Sequence, residues 1–131
     1  MPKLELKQPK QNIAILGASR DRSKYSNKAV RAYSSKGYGV YPVNPNAQQI
    51  EELTCYPKLK DVPVKLDIVS VYVPPAVGLT LVEDIVRVGP KIVYLNPGAE
   101  SQEFVKMLRA RGIRPMMACS ILAIGVDPAK L

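Results

Sequence analysis

The sequence predicts an α/β protein built as one doubly wound, mostly parallel sheet with helices on both faces. Two observations carry this. Short apolar runs alternate along the chain with stretches of helical periodicity, and most are bounded by Gly, Pro or Asn. That alternation marks a parallel sheet with crossover helices. The second is the run Asp67–Val73, DIVSVYV, apolar and mostly β-branched, as expected of a central strand covered on both faces. Right-handed crossovers then distribute the helices to the two faces.

Each element has its own signal. Residues 1–11 read as a polar arm carrying Pro2 and Pro9. Ile13–Leu16 is a buried strand that turns at Gly17. A helix over 26–36 places Ala29, Val30 and Tyr33 on one face and stops at Gly37. The second strand, 39–43, closes at Asn44-Pro45, and 46–64 is less regular, with a short helix or edge strand near 50–53. The central strand ends at Pro74-Pro75. A helix over 76–88 then aligns Leu79, Val82, Ile85 and Val86 before Gly89. Strand 92–95 ends at Asn96-Pro97-Gly98, and helix 101–111 follows with Phe104, Val105 and Leu108 inward. A last strand, 113–117, holds Pro115, which suits a sheet edge. No internal repeat or linker divides residues 1–131, so the expectation is a single Rossmann-like domain.

Composition narrows the chemistry. The 131 residues carry a net charge of +8, twelve prolines, two cysteines and no histidine. Without histidine there is no Ser-His-Asp or Cys-His unit, no His-ligated zinc and no phosphohistidine. Two cysteines cannot form a four-cysteine zinc site. The positive charge predicts an anionic partner without naming it. The start has no apolar run typical of a secretory signal. The longest uncharged stretch, 68–82, contains Pro74-Pro75 and is too short to span a bilayer. A cytoplasmic location without membrane attachment is therefore expected, with Cys55 and Cys119 reduced.

In such a sheet ligands bind beyond the carboxyl ends of the strands, where strand order reverses. Proline at three of these ends stops strands and also makes rigid, donor-poor loops. The loop after the first strand matters most, because a turn feeding a helix N-terminus is a ready phosphate site. A dinucleotide fingerprint would place glycines at 17, 19 and 22, and only Gly17 is present; Ser19 and Arg22 occupy the others. The second strand ends in Val43-Asn44-Pro45, without the acidic residue that holds the ribose of NAD. That argues against NAD and leaves open a nucleotide phosphorylated on its ribose, such as NADP or coenzyme A. Between Arg20 and Lys36 six basic residues face one acidic residue, a local net charge of +5. Lys28, Arg31 and Lys36 read as a solvated helix face, and Arg20 to Lys24 as the better phosphate ligands.

Four segments, Ile15-Leu-Gly-Ala-Ser-Arg-Asp21, Lys36-Gly-Tyr-Gly-Val-Tyr-Pro-Val-Asn-Pro45, Tyr56-Pro-Lys-Leu-Lys-Asp-Val-Pro63 and Val73-Pro74, occur in this order. Together they resemble the small CoA-binding domain family, related to the nucleotide-binding domain of the succinyl-CoA synthetase alpha subunit. The resemblance spans roughly residues 10–126. It implies a Rossmann-like domain binding coenzyme A or an acyl-CoA across its strand ends. By position, Gly17, Ala18 and Ser19 would approach the diphosphate, and Arg22, Lys24, Tyr25 and Ser26 would lie near the phosphates. Asn44, Pro45 and Asn46 would border the adenosine end. Val73 and Pro74 would pack on flat or aliphatic parts, and Asn96, Pro97 and Gly98 would line the pantetheine side, with Cys119 near the last strand. Two departures affect that far wall: Asn96-Pro97-Gly98 replaces a Gln-x-Gly type sequence, and Ala118-Cys119-Ser120 replaces a Cys followed by proline.

The same resemblance limits the function. The full synthetase uses a phosphorylated histidine on a second domain and a partner with an ATP site, and this sequence has neither the histidine nor the second domain. The expectation is a carrier, sensor or accessory module of an acyl-CoA enzyme, monomeric or homodimeric, without catalysis of its own. Cys119 reads either as a small buried hydrophobe or as a thiol facing that of coenzyme A. Two other classes stay open. An NADP-linked oxidoreductase would need a proton donor, for which Tyr25 is the nominee. A nucleic-acid-binding protein rests on the pI of 9.6 alone, without an RNP-like motif, zinc finger or basic repeat.

Overall fold

The computed structural model describes residues 11–131, so all of the proposed polar arm except Gln11 lies outside the described residues. The chain runs β1 (Asn12–Leu16), α1 (Tyr25–Ser35), β2 (Gly39–Val43), β3 (Gln49–Ile50), β4 (Leu53–Thr54), β5 (Ile68–Val71), α2 (Pro75–Leu79), α3 (Val82–Val88), β6 (Ile92–Leu95), α4 (Gln102–Ala110) and β7 (Pro115–Met117). Short 3-10 turns lie at Leu59–Asp61, Leu122–Ile124 and Pro128–Lys130. Five strands form one sheet in the order β2-β1-β5-β6-β7, every neighbour pair parallel. Strand order reverses between β1 and β5, the position at which doubly wound sheets open a crevice.

Alternation along β1 explains the two cores. Ile13 and Ile15 join Ala29, Val30 and Tyr33 of α1, along with Ile121, on one face. Ala14 and Leu16 join Val82, Ile85, Phe104 and Leu108 on the other. Central β5 is buried at all four residues, as its composition predicts. Proline-bearing β7 is an edge strand, and Pro115 is its first residue. Ser101 caps α4 by accepting a hydrogen bond from the Phe104 amide at 3.1 Å.

Two elements depart from expectation. The single helix over 76–88 is two helices, broken at Thr80-Leu81. The Thr80 hydroxyl donates to the Val77 carbonyl at 2.6 Å, turning the chain locally. Gly78 sits so close to Phe104 that a Cβ there would lie 2.5 Å from the ring, and this sets α2 against α4. The irregular region near 50–53 is an antiparallel hairpin, β3 paired with β4. Its two-residue turn is Glu51-Glu52, both at positive φ (50° and 66°). Such turns normally use Asn-Gly, so Glu-Glu carries no hairpin signal.

Candidate functional site

The first loop begins with a conformation only glycine adopts freely. Gly17 has φ +88°, and a Cβ there would lie 2.8 Å from Val73 Cγ1 and 3.2 Å from the Val73 amide nitrogen. The loops after β1 and β5 therefore touch at the point where strand order reverses. The Gly17 and Ala18 amides both donate to the Val43 carbonyl, at 2.9 and 3.3 Å. Asn44 donates through Nδ2 to the Ala18 carbonyl at 2.7 Å and accepts the Asn46 amide at 2.8 Å. Three strand ends are thus tied into one rim.

Beyond Gly17 the loop is shaped by its own side chains. The Ser19 hydroxyl accepts the Asp21 amide, and Asp21 accepts both the amide and the hydroxyl of Ser23. These hydrogen bonds, the Ser23 hydroxyl first, hold the Asp21 carboxyl below its usual range. Lys24 is the N-cap residue of α1 and gives no side-chain bond to the first turn, so the helix-start donors there carry no side-chain cap. Beneath the loop, fully buried Asn27 donates to the Ser19 carbonyl at 2.9 Å and to Glu51 at 3.1 Å.

An apolar cleft of about 370 Å³ opens on this rim. Leu16 and Gly17 end β1 on one wall, and Val43, Asn44, Pro45 and Asn46 end β2 on the next. Pro57, Lys58 and Leu59, with Val73, Val77, Leu81 and Asp84, complete the lining. Val77 comes from α2, Leu81 from the break between the helices and Asp84 from α3. Beside the cleft lies a polar recess of about 520 Å³ lined by Arg20, Asn46, Gln48, Gln49 and Thr54. Asn46 borders both, so the surface passes from apolar to cationic across one residue.

The predicted residues divide sharply. Gly17, Asn44, Pro45, Asn46 and Val73 come together at the cleft. Exposed Pro74 precedes α2, and its carbonyl accepts the Val77 and Gly78 amides. Arg22, Lys24 and Tyr25 are exposed on the loop, whereas Ala18 and Ser26 are buried. Asn96 stands apart from these residues. Only 1% exposed, it donates to Ser70 Oγ at 2.8 Å and the Val71 carbonyl at 2.9 Å and accepts the Ser120 amide at 2.8 Å. Its side chain is hydrogen-bonded inside the fold, outside the cleft. Pro97 and Gly98 are exposed but lie outside the cleft, as does Cys119, which packs half-buried against the α1-side core.

The local charge is also less available than the count implies. Arg31 donates to Asn27 Oδ1 and the Arg22 carbonyl, both at 2.8 Å, and Lys28 donates to the Pro128 carbonyl at 3.1 Å. Arg22 stands 3.5 Å from Glu51, a carboxylate from outside the 20–36 segment. Arg20 and Lys24 form no ion pair among the described residues. Asn27, Glu51, Lys58, Val77, Leu81 and Asp84 had no place in the predicted site. Asn27 could have been found, since it is a polar residue one turn before Val30 on the buried stripe of α1.

Comparison with known proteins agrees with this fold. The sequence model for the CoA binding domain matches residues 11–125. The chain belongs to the CoA-binding domain family. Over 94 residues this CoA-binding domain is 33% identical to the ADP-forming acetate–CoA ligase II of Archaeoglobus fulgidus, covering 70% of the chain but only 14% of that ligase. A conserved hypothetical protein from Pyrococcus furiosus superposes with a TM-score of 0.79 at 36% identity, covering 86% of this chain and 98% of that one. The acetyl-coenzyme A synthetase 1 of Candidatus Korarchaeum cryptofilum, solved with phosphate and ADP, gives 0.72 at 33% identity; the match covers 83% of this chain and 26% of that one.

Proposed function

We propose that this domain binds coenzyme A or an acyl-CoA across the carboxyl ends of β1, β2 and β5, as a carrier, sensor or accessory module without catalysis of its own. The observation that supports this best is the cleft at the strand-order reversal. It has apolar walls for a flat base, backbone brought close by Gly17, and the cationic loop of Arg20 and Lys24 beside it. These features fit the parts of coenzyme A in turn: an aromatic base, a phosphorylated ribose and a diphosphate. Gly17 and Ser19 would approach the diphosphate, with Arg22, Lys24 and Tyr25 near the phosphates. Asn44, Pro45 and Asn46 would border the adenosine, and Val73 would pack on it.

The non-catalytic part rests on the sequence, which has no histidine. Among the described residues no group of three or more His, Cys, Asp or Glu side chains stands together. Among them, too, no helix is long and apolar enough to cross a membrane. The protein partner proposed is an acyl-CoA-using enzyme. The test is thermal unfolding with ligand added. Coenzyme A should raise Tm by mass action and desphospho-CoA less. Stabilisation by NADP but not coenzyme A would overturn the reading. Native mass spectrometry would report the bound mass and separate monomer from homodimer.

A further inference from the structure

Three carboxylates among the described residues are half-buried: Glu51, Asp67 and Asp84. Glu51 accepts from Asn27 and lies beside Arg22, and Asp67 accepts the Asn12 amide at 2.9 Å. Asp84 alone has neither a hydrogen bond nor an ion pair. It lines the cleft, whose lining includes Leu16, Val43, Leu59, Val77 and Leu81 and also Asn44, Asn46 and Lys58. A carboxylate against apolar walls is costly unless a donor meets it. Its place in the first turn of α3 favours an acid through the helix dipole. Its exposed neighbour Glu83 occupies the same turn and is matched to Arg111, so the dipole does not require a second acid facing the cleft.

We infer that Asp84 selects the base of the bound nucleotide by accepting a hydrogen bond from an exocyclic amino group. This rests on the coenzyme A reading and deepens it. The base of coenzyme A is adenine, whose 6-amino group is a donor. Its hypoxanthine counterpart presents a carbonyl oxygen there, which would face the carboxylate lone pairs. Lys58, on the same cleft, is a donor only and cannot make this distinction.

The experiment is calorimetric titration of the wild type, Asp84→Ala and Asp84→Asn with coenzyme A and with its hypoxanthine analogue. The wild type should prefer coenzyme A by about tenfold to a hundredfold, the size expected of a hydrogen bond to a charged acceptor. Asp84→Ala should weaken coenzyme A by a similar factor and bring the ratio to about one. Asp84→Asn, whose amide can donate to the carbonyl, should shift the ratio towards the analogue. A merely structural role for Asp84 would weaken both ligands equally. Coenzyme A binding with the wild-type ratio kept in both variants, or with no wild-type preference, would overturn this inference alone. Failure of the wild type to bind coenzyme A would overturn the binding reading together with it.

Discussion

The two halves of the strand-end surface use polar residues in opposite ways. At β1, β2 and β5 the polar groups tie loop to loop around the rim, and the space between stays open and apolar. Between the end of β5, the end of β6 and the segment after β7 they turn inward. Ser70 and Ser120 hydroxyls lie 2.8 Å apart, Tyr72 reaches Ser120 Oγ at 3.2 Å, Tyr33 donates to the Ser120 carbonyl at 2.7 Å, and Asn96 ties β5 to the segment after β7. A strand end is therefore not a binding position merely by being a strand end. The half at the order reversal has a gap to fill. At the other half the polar groups pair beneath the surface, and the hollow there, lined by Glu100, Ser101, Val105 and Met117 among others, lies outside that network.

Breaking the comparison at the open half should have the largest effect. Gly17→Ala places a Cβ against Val73 at positive φ, so coenzyme A binding should fall at least about a hundredfold and stability by roughly 1–3 kcal/mol. Titration calorimetry and denaturant melts measure the two losses. At the other half, Asn96→Ala leaves the Ser120 amide unpaired. It should cost about 2 kcal/mol of stability while coenzyme A affinity of the folded protein stays within about threefold. Equal losses of affinity in both variants would erase the distinction.

Alkaline titration sharpens it further. Burial pushes the Tyr72 phenol up to about 12 and Tyr33 higher. Below the ordinary tyrosine pKa of about 10 both are neutral, folded or unfolded, and their contribution is complete. As pH rises from there, the unfolded chain loses these protons first, so stability falls until the folded groups ionise. Tyr72→Phe should flatten that alkaline loss in urea melts between about pH 10 and 12. The smallest effect is expected from Cys119→Ser. Its position outside the cleft predicts a coenzyme A affinity within about twofold of wild type. A large drop would bring the thiol back into the site.

Much of the fold was legible because its signals are local. The apolar run at β5, the Pro-bearing edge at β7, and the stripe Phe104 and Leu108 on α4 each state their environment within a few residues. The hairpin turn Glu51-Glu52 was not legible, because both residues take positive φ without a Gly or Asn to mark it, and the Glu51 carboxylate meets Asn27 and Arg22 from a distant segment. The near wall of the site could be read from Gly17 and the Val43-Asn44-Pro45 turn. The wall from Val77 to Asp84 was visible only as a helix, since nothing in a helical pattern tells which polar position meets a cleft.

The sequence by itself determined the doubly wound order of elements, the absence of histidine chemistry, and a glycine turn with cationic flanks. Periodicity, composition and steric need act through neighbours along the chain. Tertiary structure alone decided that Asn96 faces inward, that Asp84 faces the cleft, and that Lys28 is already engaged. Each of those depends on what a distant segment places opposite the side chain, and hydrogen-bond partners 25 to 100 residues away leave no trace in local spacing.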